Sequence, residues 1–308
     1  MSKKDRIKII AEIGVNHCGK LHLAKKLIDV AIYCGANAVK FQTYITDNFV
    51  SKNTKKVSYQ ILKKFKNESH YEMLKKFELK NKDFFKIKKY CDKKKIEFIS
   101  TPYDLQSVDL LENLKVKTYK VASADISDFL LHKKLSKLNK KVIISTGMSS
   151  LDEIKKTVSL YNKKNIELLH CVSCYPCSVK LLNLNNILLL KETFNLDIGF
   201  SDHTKGYEAA LLAYAMGART FEKHITLSNN MVGPDHKASL NPKDFKKYVD
   251  KINEAKIILG KKNKILLDQE LEMKKISSKS VTLNRDVKKN KILKYQDIIM
   301  KRPGSGLN

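Results

Sequence analysis

The chain has 308 residues, 43% of them hydrophobic and 30% charged, with a formal net charge of +28. That length suits one barrel-sized core with a short appendix, and no apolar run approaches the ~18 residues a membrane helix needs, which excludes a membrane-spanning role. The charge first suggests nucleic acid, but the 60 basic residues include only four arginines (Arg6, Arg219, Arg285, Arg302), and the lysines are spread over every expected helix as solvated faces.

The opening MSKKDRIKIIAEIG runs its apolar residues straight into a strand with no small-residue cleavage site, so a cytoplasmic location is expected. From there, short β-branched runs alternate with segments of helical period. The strand candidates are residues 7–13, 38–44, 97–103, 118–124, 141–147, 166–172, 197–203 and 220–226. Amphipathic stretches such as LHLAKKLIDVAIYCG, SLDEIKKTVSLYN and GYEAALLAYAMG lie between them. Eight such units in about 260 residues predict a closed (β/α)8 TIM barrel, and no glycine-rich dinucleotide fingerprint supports an open doubly wound sheet. One gap is oversized: in residues 45–80, SYQILKKFKNESHYEMLKKFEL reads as extra helix over the active face. Beyond Gly260 a charged linker leads to a tail with strand and turn signals but too few apolar residues for a core of its own. The six cysteines are expected to be thiols, and Cys171, Cys174 and Cys177, which lack an evident fourth ligand, read as small core or loop thiols.

Reactive side chains recur at the carboxyl ends of the strands, where barrel enzymes place their chemistry. Glu12, Asn16 and His17 follow the first strand; Lys40 and Gln42 lie on the second; Ser100 and Thr101 lie on the third. Lys120, Ser123 and Asp125 end the fourth, Ser145 and Thr146 the fifth, and His170 and Tyr175 bracket the end of the sixth. Ser201, Asp202 and His203 close the seventh, Glu222 and His224 the eighth, and Gly233-Pro234-Asp235-His236 follows.

A lysine inside an apolar strand is costly unless it meets an anion. Lys40 and Lys120 therefore admit a salt bridge (Lys120 with Asp125 or Glu12), a Schiff-base role, or a cradle for phosphate and carboxylate oxygens. Hydroxyls at Thr101, Ser123, Ser145 and Ser201 favour the cradle. His203 and His224 end adjacent strands, so their imidazoles can meet, and two His ligands plus water or carboxylate suit a divalent metal. Glu12, Asp125 and Asp235 remain to hold sugar hydroxyls, move protons, or act as caps and loop carboxylates.

AEIGVNHCG (11–19), VKFQTY (39–44), FISTPYD (98–104), YKVASAD (119–125), IISTGM (143–148), LLHCVSCYP (168–176), IGFSDHT (198–204), EKHIT (222–226) and GPDHKAS (233–239) together resemble the sialic acid synthase family in order and spacing. The resemblance runs from about residue 7 to the end. It implies a barrel over 1–262, a linker over 263–278, and at 279–308 the truncated start of an antifreeze-protein-like (SAF) C-terminal domain.

The implied reaction is condensation of phosphoenolpyruvate with the open-chain aldehyde of N-acetylmannosamine or a 2,4-diacetamido analogue, releasing phosphate. By motif, Lys40, Thr101, Lys120, Ser123, Ser145 and Ser201 would hold phosphoenolpyruvate. His203 and His224 would hold a divalent metal, usually manganese in the family, with magnesium or cobalt as alternatives. Glu12, Gln42, Tyr175 and Asp235 would position the sugar, with Glu12 or Asp235 assisting proton transfers. Arg302 matches an arginine that the family's C-terminal domain supplies to a second subunit, which implies a domain-swapped homodimer if that domain is complete.

This chain departs from the pattern at Ser123-Ala124-Asp125, where the family often has Ser-Gly-Glu, and at Ser173, which is Asn in some members. Both leave the sugar open. Rival expectations are a pseudaminate or sugar-phosphate-using relative, or an inactive, truncated sugar-binding homologue.

Overall fold

Runs rich in Ile, Val and Phe form eight parallel strands: β1 (Lys8–Gly14), β2 (Ala38–Thr43), β3 (Glu97–Pro102), β4 (Thr118–Val121), β5 (Lys141–Ser145), β6 (Ile166–Cys171), β7 (Ile198–Asp202) and β8 (Thr220–His224). Each pairs with its successor and β8 returns to β1, so the sheet closes into a barrel. Strands covered on both faces need no polar alternation, which is why they stand out in the sequence as near-continuous apolar runs. A computed structural model of the chain describes residues 6–57, 60–61 and 67–307. It divides into two units, Met1–Leu259 and Gly260–Asn308.

Helices α1 (Leu21–Tyr33), α4 (Asn81–Lys94), α5 (Leu105–Asn113), α6 (Phe129–Ser136), α7 (Leu151–Val158), α8 (Asn186–Phe194), α9 (Glu208–Ala215) and α10 (Pro242–Leu259) follow the strands in turn. Several start where the sequence supplies a cap. Ser150 and Glu153 close a reciprocal capping box at α7, and the Asp104 carboxylate caps α5 through Ser107 N–H at 2.8 Å while also accepting from Ile45 N–H at 2.9 Å. One cap thus ties the third loop to the second.

Beyond the first, the strand expectations overreach at their carboxyl ends. The fourth, read as 118–124, stops at Val121 and gives way to a 3-10 turn over Ser123–Asp125. The oversized 45–80 segment contains α2 (Thr46–Phe49) and α3 (His70–Phe77), the latter opened by a Ser69/Glu72 capping box. Part of the helix expected across 58–79 falls on 58–59 and 62–66, which lie outside the described residues. Met73 and Leu74 of α3 pack with Tyr44 beyond β2, against Phe49 and Tyr103, so this insertion covers the carboxyl ends of β2 and β3.

The second unit carries α11 (Asp268–Ser277) and an antiparallel pair, β9 (Ser280–Leu283) with β10 (Ile298–Lys301). The stretch read as a linker is therefore partly helical. Asp268 and Glu270 in the first turn of α11 and Lys274 and Lys275 in the last match the helix dipole, which favours a helix despite the absence of buried residues. Within this unit Asp297 is paired with Arg285 and Lys291. Among the described residues no helix is long and apolar enough to cross a membrane.

Candidate active site

The barrel interior has two floors. Ile10, Ala38, Ile99, Ile143 and Leu169 form an apolar plug below. Above it the inward positions turn polar. Register sets Glu12 beside Lys40 on one neighbouring strand and beside His224 on the other, while Ser201 lies beside Glu222. Because the period of a strand is two residues, Glu12, Lys40, Thr101 and Ser145 each lie two residues up their own strand from a plug residue.

The two strand lysines are buried, and the partners of Lys120 differ from the expected ones. Lys40 Nζ lies 3.0 Å from Glu12 Oε2 and 3.5 Å from Glu222 Oε1, and it donates to Thr101 Oγ1 at 3.3 Å. Lys120 pairs with neither Asp125 nor Glu12. Its Nζ donates to Ser145 Oγ at 2.6 Å and to the Val121 carbonyl at 2.8 Å, with Glu222 Oε1 at 4.0 Å. The reason is direction: Lys120 leaves β4 toward the axis, whereas Asp125 lies on the 3-10 turn beyond the strand end.

Burial and charge separate these groups electrostatically. Burial opposes the Lys40 ammonium, but Glu12 and Glu222 more than offset it and hold its pKa above the usual lysine range. Lys120 is pulled down to about 8 by burial, and Lys40 adds to that against the attraction of Glu222. Burial raises Glu12 to about 7 despite Lys40, while Glu222, also opposed by burial, is held at about 2 by Lys120 and Lys40. One carboxylate is thus a fixed anion, and the other can exchange a proton near neutrality.

Glu12, Gln42 and Asp235 converge on one small space. Gln42 Nε2 donates to Glu12 Oε1 at 3.2 Å. Gly14 has φ +52°, and a Cβ there would lie 3.0 Å from Glu12 Oε1, 3.4 Å from Gln42 Nε2 and 3.6 Å from Asp235 Oδ2. Glycine is required both by the backbone and by the cradle. Asp235 is raised by burial to about 6, and its Oδ2 lies 3.9 Å from His224 Nδ1. A network holds its loop: Asn16 Nδ2 donates to the Ile225 carbonyl and Ser239 Oγ, and Ser239 Oγ donates to the Asp235 carbonyl.

The imidazoles of His203 and His224 have ring centroids 5.8 Å apart, and the Tyr175 ring lies 4.0 Å from that of His203. His203 Nδ1 donates to the Val172 carbonyl at 2.8 Å, so Nε2 carries the lone pair when the ring is neutral; burial opposes its charge, but Cys171 and that carbonyl outweigh it and hold the pKa above the usual histidine value. His224 is held neutral, at about 3, by burial and then by the charges of His203 and Lys40, and its buried Nδ1 has no hydrogen-bond partner. Among the described residues no three or more His, Cys, Asp or Glu side chains are gathered as a metal site. Two such imidazoles nonetheless fit a divalent transition ion whose remaining positions are open to substrate or water.

The other expected residues lie around this centre. Ser123 Oγ accepts from Gly147 N–H at 2.9 Å, and Ser201 Oγ donates to Glu222 Oε1 at 3.1 Å. Asp125 is raised to about 7 by burial and by Asp128, and its Oδ2 is buried without a partner. Arg302 belongs to the second unit. Two participants went unassigned from sequence. Glu222 was read only as a strand-end residue, and Cys171, read as a core thiol, lies 3.9 Å from His203 Nδ1. Period-two alternation back from His224 along β8 points to Glu222.

Residues 27–264 match the NeuB family. The chain is 42% identical over 305 residues to an N,N'-diacetyllegionaminic acid synthase of Campylobacter jejuni, covering 97% of this chain and 91% of that protein. It is 41% identical to the enzyme of the same name from Legionella pneumophila, covering 97% and 86%. A crystal structure of the N-acetylneuraminic acid synthetase of Leptospira borgpetersenii in complex with citrate superposes with a TM-score of 0.78 at 36% identity, covering 88% of this chain and 90% of that one.

Proposed function

The chain belongs to the NeuB family, and from that membership we propose that it condenses phosphoenolpyruvate with a 2,4-diacetamido sugar aldehyde to give a nonulosonic acid and phosphate. One observation carries the reading: at one barrel mouth, two buried lysines and four hydroxyls adjoin a pair of imidazoles and two carboxyls that titrate near neutrality. Each piece suits one part of the reaction. The choice of sugar rests on the diacetyllegionaminic acid synthases at 42% and 41% identity. The second reading, N-acetylmannosamine, is favoured by the likeness to the sialic acid synthetase at 36% identity.

Lys40 and Lys120 would bind the carboxylate and phosphate of phosphoenolpyruvate, with Thr101, Ser123, Ser145 and Ser201 donating to the same oxygens. Glu222 would keep both ammonium groups aimed inward before substrate arrives. His203 and His224 would hold a divalent ion, manganese being the first choice, which when bound would act as a Lewis acid on the sugar aldehyde. Gln42, Tyr175 and Asp125 would orient the sugar so that its aldehyde carbon faces C3 of the enol. As the new C–C bond forms from the enol π electrons, Glu12 or Asp235 would give a proton to the aldehyde oxygen. The other carboxylate would take a proton from the water that adds to C2; as the bond from C2 to the phosphate oxygen breaks, the C2 hydroxyl becomes the ketone and its proton leaves with the phosphate.

The test is phosphate release from phosphoenolpyruvate with each sugar, with and without chelator. Metal-dependent release with the 2,4-diacetamido sugar is expected, at higher kcat/KM than with N-acetylmannosamine. No release with either, or release only with a sugar phosphate, would overturn the reading.

A further inference from the structure

The residues beside the two imidazoles face the other side of the barrel wall. Strand alternation sends Ser201 inward and Asp202 outward on β7, and Glu222 and His224 inward and Lys223 outward on β8; His203, one residue past β7, has its ring 5.8 Å from that of His224. Behind the wall, Lys223 Nζ lies 3.0 Å from Asp202 Oδ2, and neither side chain is more than 1% exposed. Asp202 Oδ1 accepts from the Thr204 backbone N–H at 2.8 Å and from its hydroxyl at 2.7 Å. Lys223 also donates to the Thr204 carbonyl and, at 3.4 Å, to that of Gly206, with the Tyr248 ring of α10 5.2 Å from the ammonium.

Residues 202 and 204 are both tied to residue 223. His203 lies between the first two, and His224 follows the third. The His203 carbonyl accepts from Cys177 N–H at 2.8 Å, so its backbone is held from a third side. A buried ion pair is weak as a source of stability, because well-packed apolar residues of the same volume serve as well or better. Its distinct property is directional, since the charges set a register between two strand ends that apolar contacts would leave loose.

We propose that the Asp202–Lys223–Thr204 clamp is a positioning device that sets the spacing and aim of His203 and His224, and through them the affinity of the site for a divalent metal. This rests on the reading of those two imidazoles as metal ligands. Groups that hold metal ligands from behind typically tune metal affinity by about 10–100-fold.

The test is Mn2+ binding to the purified full chain, followed by the electron paramagnetic resonance signal of free Mn2+ and separate from activity. D202N/K223M removes both charges together, so neither is left buried and unpaired, and T204V removes only the hydroxyl. The clamp predicts that D202N/K223M keeps the circular dichroism of the native barrel and binds phosphoenolpyruvate in the absence of metal as the native chain does. Its Mn2+ affinity falls about 10–100-fold, with a smaller fall for T204V. Native Mn2+ affinity in folded D202N/K223M, or in T204V if the double variant does not fold, overturns the proposal. If the unaltered chain binds no more Mn2+ than H203A/H224A, the metal reading itself fails and the clamp falls with it.

Discussion

The lower and upper floors of the barrel are built by the same strands, and they differ in what the inward position holds. Below, Ile10, Ala38, Ile99, Ile143 and Leu169 fill the space with apolar volume. Above, Glu12, Lys40, Lys120 and Glu222 bring four ionisable groups into a fully buried layer, where desolvation opposes every charge. The lower floor stabilises the fold, whereas the upper holds buried charges at a cost in stability, an arrangement that suits the proposed anionic substrate. That contrast predicts opposite outcomes for substitutions on neighbouring layers.

The largest effect is expected on the upper floor. Lys120→Met should lower kcat/KM for phosphoenolpyruvate about a thousandfold, about 4 kcal/mol, while the thermal midpoint changes little, because Glu222 keeps Lys40 as a partner at 3.5 Å. Steady-state kinetics beside a melting curve check this, and a large loss of stability would erase the distinction between floors. Next, Leu169→Ala should cost about 3 kcal/mol of stability in denaturant unfolding. The kinetic constants of the folded fraction should change by less than about threefold.

Within the upper floor, Glu12→Gln should lower kcat about a hundredfold with little change in KM for phosphoenolpyruvate, separating proton transfer from binding. Equal losses in both would assign Glu12 to the cradle instead. The smallest effect is one of pH. Burial holds Lys120 at about 8, so its charge is complete below that pH and is lost as pH rises through it. The kcat/KM for phosphoenolpyruvate should therefore fall about tenfold per pH unit above 8, and Lys120→Arg, which stays charged, should move that limb to higher pH.

Legibility in the sequence follows the same division. The eight strands could be read because residues buried on both faces leave unbroken Ile, Val and Phe runs, and a lysine within such a run, as at Lys40 and Lys120, marks itself as exceptional. Lys223, flanked by Glu222 and His224, lies in no such run and carries no such mark. The strand-end histidines could be paired from adjacency alone. The salt-bridge partners could not, since Lys120 approaches Glu222 across the barrel, a relation that closure and stagger create. The helix in 268–277 buries none of its residues, so only its charge order signals it in the sequence.

What the sequence determined by itself, then, is the alternation of strand and helix, the closed barrel, and the set of polar residues at its carboxyl mouth. These depend on period and burial, which each residue carries locally. Tertiary structure alone decided which lysine faces which carboxylate, which carboxyl stays ionised and which titrates near 7, and how Asp202 and Lys223 meet behind the two imidazoles. Those outcomes depend on distances of a few ångströms between residues up to 210 positions apart, as Glu12 and Glu222 are, and on desolvation that exists only once the barrel has closed.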